Sequence, residues 1–149
     1  MSLRVSDDET TFRESGFSVL MFLDELVDER DDRMNRKPAK ILILGGGFGG
    51  LYAAMTLQRE LAGSDLAQVT LVDRRNYFTF TPFLPEVAAG ALGRAHVTYP
   101  FRFLAQKERF CFIQGVVQAF DLAERVIRTE TTTIPYDYLI VSLGGAPSF

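Results

Sequence analysis

The stretch Ala39–Leu61, AKILILGGGFGGLYAAMTLQREL, places five glycines within six positions between an apolar run and an amphipathic one. Glycine weakens strands and helices alike, so a cluster between two of them needs a reason. "KILIL" is a continuous apolar run suited to a buried parallel strand. In "GLYAAMTLQREL", Leu51, Ala54, Met55 and Leu57 share one side of a helix, while Gln58, Arg59 and Glu60 are polar. "AGSD" ends that helix and "QVTLVD" supplies a second strand, which completes a βαβ unit. Between strand and helix stands Gly45-x-Gly47-x-x-Gly50, the context in which this spacing marks a nucleotide pyrophosphate site.

Each glycine has its own task. Gly45 permits the sharp turn out of the strand, Gly47 lets the main chain approach a pyrophosphate, and Gly50 permits close helix–strand packing. Gly49 adds room, and a helix beginning near Phe48 offers free N–H groups and a positive dipole end to phosphate oxygens. The second strand ends in Asp73, 23 residues after Gly50, close to the usual separation of about 20 for the acid that holds an adenosine ribose. That carboxylate repels a 2′-phosphate, so Arg74 and Arg75 do not by themselves define an NADP site. Arg74 is placed along the adenine or toward phosphate, and Arg75 in solvent. FAD and NAD share the fingerprint.

Beyond the second strand, "RRNYFTFTPFLPEVAAGALG" reads as a loop with two prolines leading into a short helix. Pro85 suits the first turn, and Glu86 suits the positive end of the dipole. "YPFRFLAQKE" reads as another short helix. "RFCFIQG", "VVQAFD", "RVIRTET" and "TIPYDYLIVSLGG" are short β-rich pieces, with "DLAER" as a tight hairpin connection. The last apolar run, "YLIVSLG", is expected to rejoin the parallel sheet beside the first strand. An aromatic, proline-bearing loop followed by β-rich segments departs from the regular βα units of a nicotinamide-binding dehydrogenase domain, and favours FAD.

Composition excludes several other classes. The net charge is −3 with a pI near 5.2, which disfavours nucleic-acid binding. Cys111 and His96 are single, so the chain offers neither a disulfide framework nor a CxxC pair nor a metal cluster built on them. No basic segment followed by a long apolar core opens the chain, and "VLMFL" is too short to span a bilayer. The cytoplasm is the expected compartment. Residues 1–33 carry ten acids against four bases, whereas residues 34–149 carry nine against twelve. The chain therefore divides into an acidic extension, residues 1–39, and a nucleotide-binding body, residues 40–149. In the extension Val19, Leu20, Phe22, Leu23, Leu26 and Val27 line one side of a helical wheel opposite Asp24, Glu25 and Asp28. It reads as a docking helix, as a marginal helix in a disordered tail, or as the product of a start codon upstream of the true one at Met34.

"ILILGGGFGGLYAA", "VTLVDRRNYFTFTPFLPEVAAGAL", "VVQAFD" and "YDYLIVSLGGAPSF" together resemble the opening of type II NADH dehydrogenases, single-subunit flavoenzymes with two dinucleotide-binding domains. The resemblance implies an α/β, Rossmann-like FAD-binding domain, the GxGxxG βαβ unit plus a small β-meander, that stops before the NADH domain. It implies that Gly45, Gly47, Phe48, Gly49 and Gly50 surround the FAD pyrophosphate and that Asp73 holds the ribose with Arg74 beside it. Thr81 and Pro82 would lie in the loop running by the flavin. Val117 would meet the adenine edge through its backbone, and Gly144 would close the last strand near the cofactor. The residue readings alone leave turn or core packing open for Thr81, Pro82 and Val117. The parent activity so implied passes electrons from NADH through FAD to a quinone, peripherally on the cytoplasmic side of the membrane, and leaves room for a homodimer. The chain would then be an amino-terminal fragment, inactive alone, with no catalytic side chain of its own. The alternatives are a sulfide:quinone oxidoreductase, which single Cys111 supports poorly, and a non-catalytic nucleotide-binding module.

Overall fold

The computed structural model describes residues 37–62 and 64–145. The acidic extension with its amphipathic segment, the candidate start at Met34, and the last four residues lie outside them. The elements run β1 (Ala39–Leu44), α1 (Phe48–Glu60), β2 (Ala67–Asp73), β3 (Tyr77–Thr79), α2 (Leu84–Ala88), β4 (Thr98–Pro100), α3 (Phe101–Glu108), β5 (Cys111–Gln114), β6 (Val117–Asp121), β7 (Val126–Thr129), β8 (Thr133–Pro135) and β9 (Tyr138–Val141). Short 3-10 turns occupy Thr81–Phe83 and Arg94–His96.

A parallel sheet of order β5-β2-β1-β9 forms the middle layer. Its central strand, β1, is apolar on both faces because both are covered. Ile41 and Ile43 pack with Leu51, Ala54 and Leu57 of α1 and Phe101 of α3. Leu42 and Leu44 point the other way, toward Ile127, Ile134 and Tyr136. Burying one such side chain is worth about 1.5–3 kcal/mol, so a run with no polar residue from Ile41 to Leu44 is what a doubly covered strand selects. The second layer is the antiparallel meander β6-β7-β8. Its first hairpin closes through residues 122–125, where the Glu124 N–H donates to Asp121 Oδ1 at 3.0 Å and Arg125 takes φ +51°. In the second, the buried Thr129 hydroxyl oxygen accepts the Thr132 N–H at 3.1 Å, in a turn made by side-chain hydrogen bonds.

The βαβ unit, the hairpin at "DLAER", the meander and the return of "YLIVSLG" beside β1 all match the sequence reading. One assignment is completed and one changes. "RFCFIQG", read only as a short β-rich piece, lies outside the meander. Its β5 lies parallel to β2, pairing Thr70 with Cys111 and Asp73 with Gln114, because α3 supplies the crossover that parallel pairing requires. The stretch read as loop after Asp73 contains β3, which pairs antiparallel with β4 from Tyr77–Pro100 to Thr79–Thr98. Phe78 is the buried residue of that ribbon and joins the main core.

Candidate nucleotide site

The chain leaves β1 at Gly45, whose φ of +97° is open to glycine and strained for other residues. The Gly45 N–H still donates to the Val72 carbonyl at 2.8 Å, so the turn begins with β1 in register against β2. A Cβ on Gly45 would run into the Ser142 carbonyl oxygen, and a Cβ on Gly50 into the Gly45 carbonyl oxygen and Ser142 Oγ. The first turn of α1 is thus seated directly on the strand end. Ser142 ties the same corner together: its hydroxyl donates toward the carbonyls of Leu44 and Gly45, each at 3.0 Å, and its N–H donates to Leu44 at 2.8 Å.

Gly47 differs. It has ordinary extended backbone, φ −73° and ψ −167°, and nothing lies within 4 Å of where its Cβ would be. It is the N-cap of α1, no side chain caps the helix, and its first turn holds no acid. The N–H groups of Phe48, Gly49 and Gly50 have no intrahelical acceptor by helix geometry, and they sit at the positive end of the dipole. This open, uncapped corner fits a pyrophosphate.

Asp73 stands at the end of β2, next to that corner. Its Oδ2 accepts the Gly46 N–H at 2.6 Å and its Oδ1 accepts the Arg75 N–H at 2.7 Å. Each carboxylate oxygen keeps lone-pair capacity for a further donor, which is what two vicinal ribose hydroxyls supply. The Asp73 carbonyl accepts the Gly115 N–H at 2.9 Å, which brings β5 and the start of β6, where Val117 lies partly buried, to the same end of the sheet. Gly144, φ +74°, follows Ser142 by two residues on the other side of β1.

Thr81 and Pro82 are exposed and open the 3-10 turn that follows β3. That turn is held to the helix start by aromatic packing: the Phe48 ring meets Phe78 at 5.0 Å and Phe80 at 5.5 Å, both edge-on. The Arg74 and Arg75 side chains are exposed; Arg74 takes part through its carbonyl, which accepts Gln114 Nε2 at 3.2 Å. Glu86 is exposed in the first turn of α2. The sequence reading missed Gly46, Ser142, Phe78 and Phe80 as members of this corner. The last two carried a signal, since Tyr77–Phe78–Thr79–Phe80 alternates polarity as a half-buried strand does.

An open cleft of about 420 Å³, lined among others by Pro38, Gln68, Arg109 and Cys111, lies at the opposite end of the sheet, where β1, β2 and β5 begin. Ligands of open α/β sheets bind outside the carboxyl ends of the strands, which favours the glycine corner over this cleft. His96 is exposed, with Nδ1 3.3 Å from the Gly93 carbonyl oxygen, a local turn contact. Among the described residues no group of three His, Cys, Asp or Glu could hold a metal ion.

A parallel sheet with a glycine-rich turn, an uncapped helix start and an acid beside them defines a dinucleotide-binding α/β domain. A family model for pyridine nucleotide-disulphide oxidoreductases matches residues 39–149, and the chain belongs to that family. Over 105 residues it is 32% identical to a type II NADH:quinone oxidoreductase of Staphylococcus haemolyticus, covering 70% of this chain and 26% of that protein. Among solved structures it is similar to NDH2 of Plasmodium falciparum in complex with NADH, with a TM-score of 0.63 and 31% identity over 76% of this chain and 23% of that one. It is also similar to the sulfide:quinone oxidoreductase of Aquifex aeolicus, with a TM-score of 0.66 and 29% identity over 74% of this chain and 25% of that one. The resemblance carried by the motifs is borne out. The chain spans about a quarter of the length of the curated relatives it matches.

Proposed function

We propose that this chain holds FAD and forms the flavin-binding opening of an NADH:quinone oxidoreductase of type II. The observation that carries the reading is the bond from the Gly46 N–H to the Asp73 carboxylate, which sets a ribose acceptor against a phosphate-ready helix start. In this reading the N–H groups from Gly47 to Gly50 hold the pyrophosphate. Asp73 accepts the ribose hydroxyls, and Arg74 lies beside them. The Val117 backbone meets the adenine edge, Thr81 and Pro82 flank the flavin, and Gly144 leaves the last strand next to it. Bound flavin supplies hydride acceptance and electron release, while the protein supplies position and electrostatics. NADH and a quinone are the substrates this proposal implies, with peripheral association at the cytoplasmic side of the membrane. Among the described residues no helix is long and apolar enough to cross a membrane. The sulfide:quinone alternative draws on redox thiols, and Cys111 begins β5 at the end of the sheet away from the glycine corner.

Asp73→Ala should weaken FAD binding by about 1–3 kcal/mol, the cost of stranding donors that lose a charged acceptor. Titration followed by flavin fluorescence reads this directly, and equal affinity for both proteins would place the ribose elsewhere. The sequence carries one GxGxxG fingerprint, room for one dinucleotide. NADH:quinone turnover by the 149-residue chain supplied with FAD should therefore equal that of FAD alone. Protein-dependent turnover would contradict the assignment of this single site to the flavin.

A further inference from the structure

Gly46 is the member of the glycine cluster whose residue type the nucleotide does not explain. It is buried, lies outside the positive-φ region occupied by Gly45, and does not face the open corner as Gly47 does. A Cβ on it would run into Cζ of Phe101, with Cε2 and Cε1 at 2.9 and 3.0 Å. Phe101 is fully buried at the start of α3. Its ring stacks on Phe112 with centroids 4.8 Å apart, and its N–H donates to the Asn76 carbonyl at 2.9 Å. The ring is therefore packed by β5, and the Phe101 backbone is held by the loop leaving β2. The Gly46 peptide has the Phe101 ring against its Cα and the Asp73 carboxylate on its N–H.

From this we infer that Phe101 is a positioning residue for the nucleotide site. Its ring sets the seat of the Gly46 peptide, and through the Gly46 N–H it orients the Asp73 carboxylate and the entry to the phosphate turn, without touching the ligand. The inference rests on the FAD reading for its binding consequence, while its packing consequence stands without ligand.

The test is a double-mutant cycle in the full chain with Gly46→Ala, Phe101→Leu and the pair. Three quantities are measured: FAD affinity, hydrogen exchange of the Gly46 amide without ligand, and the thermal midpoint. Leucine lacks the distal ring atoms that the methyl introduced by Gly46→Ala would strike. Gly46→Ala alone should weaken FAD binding about tenfold or more and speed exchange of the amide at this position. The added Phe101→Leu should return most of both losses, a coupling that independent sites do not show. Phe101→Leu alone should weaken FAD binding about threefold, through a loosened Gly46–Asp73 bond. A pair no better than Gly46→Ala, in binding and in exchange, overturns the inference, as does a Phe101→Leu protein with native affinity and native Gly46 exchange. If the native chain takes no FAD, the FAD reading fails, and rescue or its absence in exchange and midpoint still decides the role of Phe101.

Discussion

Gly47→Val should abolish FAD binding while lowering the thermal midpoint of the chain by only a few degrees, the cost of valine at an N-cap. The backbone at Gly47 is extended and nothing lies within 4 Å of its Cβ position, so a side chain there meets no clash at Cβ and costs the fold only what valine loses against glycine at an N-cap. The same space is where a pyrophosphate must approach the helix start. Two methyl groups there displace it, at a cost of about 3 kcal/mol or more in binding. Calorimetry of the free protein and flavin titration together check this. A midpoint that falls as far as it does for Gly50→Ala, or an affinity that holds, would show that Gly47 serves the fold and not a ligand.

Gly50→Ala should do the opposite. One methyl placed against the Gly45 carbonyl oxygen and Ser142 Oγ forces α1 away from the end of β1, and a backbone carbonyl cannot rotate aside as a side chain can. Overpacking of this kind costs about 3 kcal/mol or more, a fall of roughly 10–20 °C in the midpoint of a domain this size. Removing the Ser142 hydroxyl as well should not restore stability, because the Gly45 carbonyl remains. Thermal unfolding of the free chain measures the effect. A native midpoint for Gly50→Ala would mean that helix and strand are not in close contact there. The two glycines of one fingerprint thus separate cleanly, one answering to packing and the other to an open surface.

The contrast shows what a sequence can and cannot disclose at such a site. Spacing was enough to place Gly45, Gly47 and Gly50 in a turn between β1 and α1, and Asp73 at the end of β2, because strand periods and the glycine rule act locally. The return of β9 beside β1 was legible from its likeness to β1: both are apolar runs that end at a glycine, the pattern of a strand in a parallel sheet. The partner of β5 was not legible. A four-residue strand carries the same short pattern in a meander as in a parallel sheet, and the choice lies in Phe101 of α3 and Phe110, between α3 and β5, packing into the common core. Gly46 could not be understood for the same reason, since its constraint is a ring from a helix distant in sequence. Ser142 is the third case: nothing local announces that a serine after an apolar strand will bond to the carbonyls of Leu44 and Gly45.

The most direct test is the set of backbone amide shifts of the full chain during titration with FAD. The changes should concentrate on the N–H groups of Gly46, Gly47, Phe48 and Gly49 and on Asp73, at the carboxyl ends of β1 and β2. Changes confined to the cleft around Gln68, Arg109 and Cys111 at the other end of the sheet, or no changes at saturating FAD, would contradict a nucleotide site built on the glycine corner.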